Sequence, residues 1–166
     1  MKPLPEEMAV VRAVFDLYLE TGSLTKTEAE LMRRRIKTKT GKEFTRFSIK
    51  SILQNPVYLT ADELAYDYFQ SNHADLFSDK DAFDGVHGIM AYNRTDQAKG
   101  RTTRYLPMEQ WIIAVGAHSG AIPSSDWIRV QELLDRNKEK GYRQARRNEA
   151  LLTGVIFCSC GSRMFP

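Results

Sequence analysis

The chain has 166 residues, is 42% hydrophobic and 27% charged, and carries a net charge of +3. That length suits one domain or two small ones around a core of useful size. No apolar run approaches the roughly 18 residues of a membrane span, and Met1-Lys2-Pro3-Leu4-Pro5 does not read as a signal peptide. The two cysteines, Cys158 and Cys160, lie too close together to staple distant segments, so a reducing, cytoplasmic setting is expected.

Glu6 to Glu20 places Val10, Val11, Val14, Phe15, Leu17 and Tyr18 at helical spacing, and Gly22 supplies the stop. A second helix is expected over 25–36, where Thr25 and Glu28 have capping-box spacing and Ala29, Leu31, Met32 and Ile36 form a weaker stripe. Lys37 to Lys42 is a basic turn. A third helix is expected from Arg46 to Gln54, opened by Thr45 and closed before Asn55-Pro56. Its Phe47, Ile49, Ile52 and Leu53 are expected to face inward, leaving Arg46, Ser48, Lys50 and Ser51 outside. A short third helix with a polar, basic outer face is what a major-groove reader needs, because Arg bridges guanine acceptors while Ser and Lys reach bases or phosphates.

Residues 61–72 predict a fourth helix, with Ala61, Leu64, Ala65, Tyr68 and Phe69 on one face. Asp79 to Gly88 reads as a loop, 88–93 as a strand, 95–104 as a polar, basic loop, and 111–115 as a second strand paired with the first. A long helix is expected from Ser124 or Ser125 to about Lys140, with Trp127, Val130, Leu133 and Leu134 inside. A basic linker at 141–149 then leads to the strand-like Val155-Ile-Phe157. The expected class is α+β and mainly α: an N-terminal helical bundle with a helix-turn-helix-like third helix, a small two- or three-stranded sheet, and a long C-terminal helix.

Charge is segregated along the chain. Residues 33–50 hold Arg33, Arg34, Arg35, Lys37, Lys39, Lys42, Arg46 and Lys50 against the single acid Glu43. A second basic cluster is Arg94, Lys99, Arg101 and Arg104, and a third is Arg136, Lys138, Lys140, Arg143, Arg146 and Arg147. Residues 57–92 hold seven acids and one lysine. Such separation suits a polyanion binder better than the net charge does.

Chemistry-bearing constellations are sparse. Cys158-Ser-Cys160-Gly161 has the form of half a zinc knuckle, but a structural zinc wants four ligands, and His73, His87 and His118 lie far upstream. Two reduced thiols are the simpler reading. Asp79, Asp81, Asp84 and Gly85 lack calcium-loop spacing. Asp84 and His87 suggest a loop hydrogen bond, and Ser124 and Ser125 suggest helix caps. No nucleophile elbow, phosphate loop or dinucleotide fingerprint is present.

Val11-Arg-Ala-Val-Phe-Asp-Leu-Tyr18, Phe47-Ser-Ile-Lys-Ser-Ile-Leu-Gln-Asn-Pro-Val-Tyr58, Trp127-Ile-Arg-Val-Gln-Glu-Leu-Leu134, and Asn148-Glu-Ala-Leu-Leu-Thr-Gly154 before Phe157-Cys-Ser-Cys-Gly-Ser-Arg-Met164 occur in this order. Together they resemble the recombinase domain of large serine recombinases, followed by the start of a zinc ribbon. The resemblance implies a recombinase domain over 1–147 and a truncated ribbon from 148 to 166. It implies attachment-site binding to double-stranded DNA within a mobile-element integrase or transposase, with the serine nucleophile in a separate N-terminal domain. Under it this chain is not itself an enzyme and needs no cofactor. The longer protein would hold zinc, with Cys158 and Cys160 as a half-site, and would self-associate.

On this reading Arg46, Ser48, Lys50 and Ser51 enter the major groove. Lys37, Lys39, Lys42, Arg101 and Arg104 contact phosphates, while Arg143, Arg146 and Arg147 follow the backbone or minor groove. Two rivals stay open: a helix-turn-helix transcriptional regulator, and a protein-interaction module using the acidic 60–87 region.

Overall fold

Pro5 opens the first helix because its fixed φ and missing N–H suit a helix start. In the computed structural model, which describes residues 4–96, 104–139 and 157–159, that helix is α1, Pro5–Thr21. It buries Val11, Val14, Phe15, Leu17 and Tyr18. Gly22 ends it with φ 60°, donating its N–H to Tyr18 O at 2.8 Å.

α2 is Leu24–Arg33, shorter than the expected 25–36. The capping box of Thr25 and Glu28 does not form. Hydroxyls further upstream organise the turn instead: Thr27 Oγ1 donates to Ser23 O at 3.0 Å and lies 3.0 Å from Thr21 Oγ1. The expected stripe is also corrected, since Leu31 and Thr27 are buried whereas Ala29 and Met32 are exposed. The end of α2 is a Schellman-type reversal. Arg35 N–H bonds Met32 O, and Ile36 N–H bonds Leu31 O, both at 3.0 Å, with Arg35 at φ 55°. That left-handed residue breaks the helical path before Ile36.

α3, Arg46–Leu53, starts in a reciprocal capping box. Ser48 N–H donates to Thr45 Oγ1 at 3.2 Å, and Thr45 N–H donates to Ser48 Oγ at 2.9 Å. Ile49 and Leu53 are fully buried. Phe47, expected inside, is 75% exposed. The reason is angular: at about 100° per residue, Phe47 lies about 200° from Ile49.

α4 is Glu63–Ser71 and not 61–72. Ala61 is buried but extended, because its N–H bonds His87 O and its carbonyl accepts from Gly85 N–H. Asp62 caps α4 through Ala65 N–H at 2.9 Å and accepts from Ser124 Oγ at 2.6 Å. The regular apolar face is also broken, with Leu64 left exposed.

Three strands form one sheet in the order β1-β5-β2: β1 is Asp75–Leu76, β2 is His87–Tyr92 and β5 is Ile112–Ser119. β5 pairs with β2, as expected, in antiparallel sense, and pairs parallel with the short β1. The ends of the expected 95–104 loop form a hairpin stem, β3 (Thr95–Asp96) against β4 (Arg104–Tyr105). His118 Nε2 lies 2.8 Å from Val57 O. Gly88 makes room for this ring, as a Cβ there would stand 2.2 Å from His118 Nε2.

α5 is Ser124–Glu139. Trp127 and Val130 are fully buried, and the Trp127 ring packs on Tyr68 and Phe69 at centroid distances of 5.7 and 6.0 Å. This joins the helical core to the sheet residues Ile89 and Ile113. The architecture is the expected α+β class. The chain divides into two compact units, Met1–Leu134 and Asp135–Pro166. In the second, the described residues are the end of α5 and Phe157, Cys158 and Ser159. The expected domain boundary at 147/148 lies outside the described residues. Among these residues no helix is long and apolar enough to cross a membrane.

Candidate nucleic-acid interface

The candidate interface is built on α3. Its N-terminus is fixed by the Thr45–Ser48 box, so the Ser48 hydroxyl, expected at the bases, is engaged in the cap and also donates to Thr45 O at 2.8 Å. Its C-terminus is fixed by two side chains from distant elements. Gln131 of α5 donates Nε2 to Leu53 O at 2.9 Å. Arg94 donates Nη2 to Gln54 O at 3.0 Å and Nη1 to Asn55 Oδ1 at 2.9 Å. The orphan carbonyls of a helix end are thereby satisfied.

Arg94 does more than close that end. Its guanidinium sits 5.0 Å from the Trp111 ring centroid, a cation–π distance. Burial pulls its pKa below the usual arginine value. Arg94 O accepts from Leu106 N–H at 2.9 Å, so the β3–β4 hairpin rises from the residue that grips α3. The sequence placed Arg94 in a basic cluster suited to a polyanion. Its structural role, like that of Gln131, leaves no periodic trace because the partners lie 39 and 78 residues away.

Asn55-Pro-Val-Tyr58 acquires a physical meaning from these contacts. Asn55 Oδ1 accepts from Val57 N–H as well as from Arg94. Pro56–Tyr58 form a single 3-10 turn. Tyr58 O accepts from the N–H groups of Ala121 and Ile122, both at 2.9 Å. The stretch is the joint that welds α3 to the sheet.

The outer face of α3 and the preceding loop carry the positive charge. Arg46 is exposed and pairs with Glu28 at 3.7 Å. Lys37 pairs with Glu43 at 3.7 Å, and Lys39 with Glu7 at 2.9 Å. Exposed pairs of this kind hold little free energy and yield readily to a phosphate. Among the described residues no ion pair engages Lys42 or Lys50. Ser51 is exposed, and Lys50 is half-buried. Arg33 and Arg34 both grip Glu30, and these hydrogen bonds lower its pKa to about 2.

An open groove of about 550 Å³ runs between the start of α1, the 37–44 loop and α3. Phe47, Ser51 and Ile52 line one side, Lys37 and Lys39 another, and Tyr58 contributes to its wall. Burial, and secondarily the Glu7 carboxylate, push the Tyr58 phenol above its ordinary pKa.

Arg104 is exposed on β4. Arg101, Arg143, Arg146, Arg147 and Cys160 lie outside the described residues. Cys158 is exposed, with its Sγ 3.9 Å from Ser159 Oγ. Among the described residues no group of three or more His, Cys, Asp or Glu could hold a metal. Asp84 accepts from the amides of Val86 and His87 and lies 2.6 Å from His87 Nδ1. Those amide bonds, with the imidazole third, lower its pKa to about 2, as befits a loop clamp.

Residues 5–137 match the protein-family model described as Recombinase, a span that runs from α1 through nearly all of α5. No curated protein and no solved structure matches the chain significantly. The match covers well over half of the sequence and all of the elements that hold α3, so the chain belongs to the Recombinase family and its role is in site-specific recombination.

Proposed function

We propose that this chain reads double-stranded DNA at attachment sites or element ends, as the recognition domain of a serine recombinase whose nucleophile is carried elsewhere. The observation that carries the reading is α3: a capped helix, clamped at its far end by Arg94 and Gln131, which carries Arg46 and Lys50 and whose free face shares a groove with Lys37 and Lys39. Two preceding helices support it, as in helix-turn-helix readers. α3 enters the major groove with Ser51 toward the bases and Arg46 and Lys50 toward its walls, while Lys37, Lys39, Lys42 and Arg104 meet phosphates. Arg101, Arg143, Arg146 and Arg147 extend that backbone contact. Cys158 and Cys160 would supply two thiolates of a zinc site that needs two further ligands. The longer protein self-associates to bring two sites together.

Binding to the element's end sequences across a salt series tests this reading. Phosphate contacts make log affinity fall linearly with log salt, by about 0.9 per neutralised phosphate. Loss of Arg46 or Lys50 lowers affinity for the site. Unchanged site binding in both Arg46→Ala and Lys50→Ala removes α3 as the reading element. A helix-turn-helix regulator makes the same contacts, and the coding sequence upstream of Met1 separates the two, because a recombinase encodes its catalytic domain there.

A further inference from the structure

The direction in which α3 faces sharpens the reading above and rests on it. Ile49 and Leu53 are fully buried and define the inner edge of the helix. At about 100° per residue, the direction opposite their midpoint falls on Ser51 and then Phe47. Lys50 falls on one flank, with Arg46 further round toward the buried edge, about 20° from Leu53, and Ser48 and Ile52 fall on the other. The burial pattern agrees, since Phe47 and Ser51 are exposed while Ser48, Lys50 and Ile52 are partly covered. Ser48 is spent on the cap and Arg46 pairs with Glu28. Among the described residues the Ser51 hydroxyl makes no hydrogen bond.

A helix about 10–12 Å across fills a major groove about 12 Å wide. Its central line then meets base edges, and its flanks meet the sugar–phosphate walls. On α3 that central line is an aromatic ring beside a hydroxyl, and the cations stand to the side. Only one group on the major-groove edge of the base pairs is apolar, the 5-methyl of thymine. We propose that Phe47 is a specificity-determining residue that packs its exposed ring on a thymine methyl, with Lys50 on the backbone beside it. The 75% exposure of Phe47 in the free chain is the feature this contact explains.

The test uses the 166-residue chain and a pool of random-sequence duplexes, from which bound sequences are enriched. In the enriched duplex each thymine is replaced in turn by deoxyuridine, which removes only the methyl group. Burial of one methyl is worth about a factor of four in affinity, so at least one thymine, within the α3 footprint, should show a loss of about that size. Phe47→Ala should bind thymine and uracil equally at that position while keeping its salt dependence. Phe47→Leu should retain part of the preference. Sequence-selective binding with no uracil-sensitive position, or a preference that survives Phe47→Ala, overturns the assignment while leaving α3 as the reader. Enrichment of no sequence at low salt overturns α3 as the reader as well. If Phe47→Ala instead abolishes self-association and leaves the uracil profile unchanged, the ring and its groove form a protein contact and the assignment fails.

Discussion

Two neighbouring regions of this chain handle charge in opposite ways. Residues 33–50 set eight cations against one acid, and residues 57–92 set seven acids against one lysine. In the first, five cations pair with four acids, Glu7, Glu28, Glu30 and Glu43, and Lys42 and Lys50 have no ion-pair partner among the described residues. In the second, the lone Lys80 lies 2.7 Å from Glu63 and 3.6 Å from Asp67, and the Glu63 carboxylate draws its pKa upward. Asp84 is consumed by its own loop. Counted with those partners the basic region still keeps eight cations against four acids, whereas the acidic region ties part of its charge to Lys80 and to its own loop. A net charge of +3 therefore conceals opposite local charges, the asymmetry on which the proposed binding of a polyanion rests.

The two regions share a core through α5, and the largest expected effect follows from that. Trp127 packs on Tyr68 and Phe69 of the acidic side, while Gln131, one turn on, holds Leu53 O of the basic side. Trp127→Ala should cost about 3–5 kcal/mol of stability in chemical denaturation. A loss under about 1 kcal/mol would show that the regions do not depend on one core.

Removal of the clamp sharpens the comparison on the basic side. Arg94→Ala leaves Gln54 O without its donor, leaves Asn55 Oδ1 with only the Val57 N–H, and deletes the cation over Trp111. Two charge-assisted bonds of this kind support a cost of about 2–3 kcal/mol. Site-specific affinity should fall more than binding to random duplex, because the reading helix loses its fixed end. An equal fall for both would reduce Arg94 to one more phosphate contact.

Single charges give smaller shifts. Lys42→Ala should weaken all duplexes alike and reduce the salt slope by about 1. Asp67→Asn, on the acidic side, should leave the slope within error. Glu30→Gln should release Arg33 and Arg34 and steepen the slope by about 1, provided one of them reaches a phosphate. The smallest effect is a titration. Hydrogen bonds from Arg33 and then Arg34 lower the Glu30 pKa to about 2, so its pairing is present above the ordinary carboxylate range and lost as pH falls through about 2. A carboxyl titration by NMR with an ordinary midpoint would show that the fork is not formed.

The helical core was legible in the sequence, because period and stop signals act locally. α1 needed only its stripe and Gly22, and the pairing of β5 with β2 followed from two apolar runs. What escaped depends on contacts between distant residues. Ala61 resembles the first residue of α4 but is claimed by His87 and Gly85. β1 is a two-residue strand whose only signal is its neighbour β5. Arg94 looks like surface charge until its partners on Gln54 and Asn55 are known. Phe47 differs from these. The sequence held enough information, since Ile49 and Leu53 fix the buried edge, but hydrophobicity alone assigned it to the core. In the candidate interface the residue types and their region were readable, whereas the centre of the face required the helix's orientation.

The central claim is that the basic face around α3, and not the acidic one, receives duplex DNA. NMR chemical-shift mapping of the chain titrated with its element-end duplex tests this most directly. The account predicts shifts in the amides of 37–42 and Arg46–Ser51, with 62–84 unchanged. Shifts confined to 62–84, with α3 silent, would contradict it.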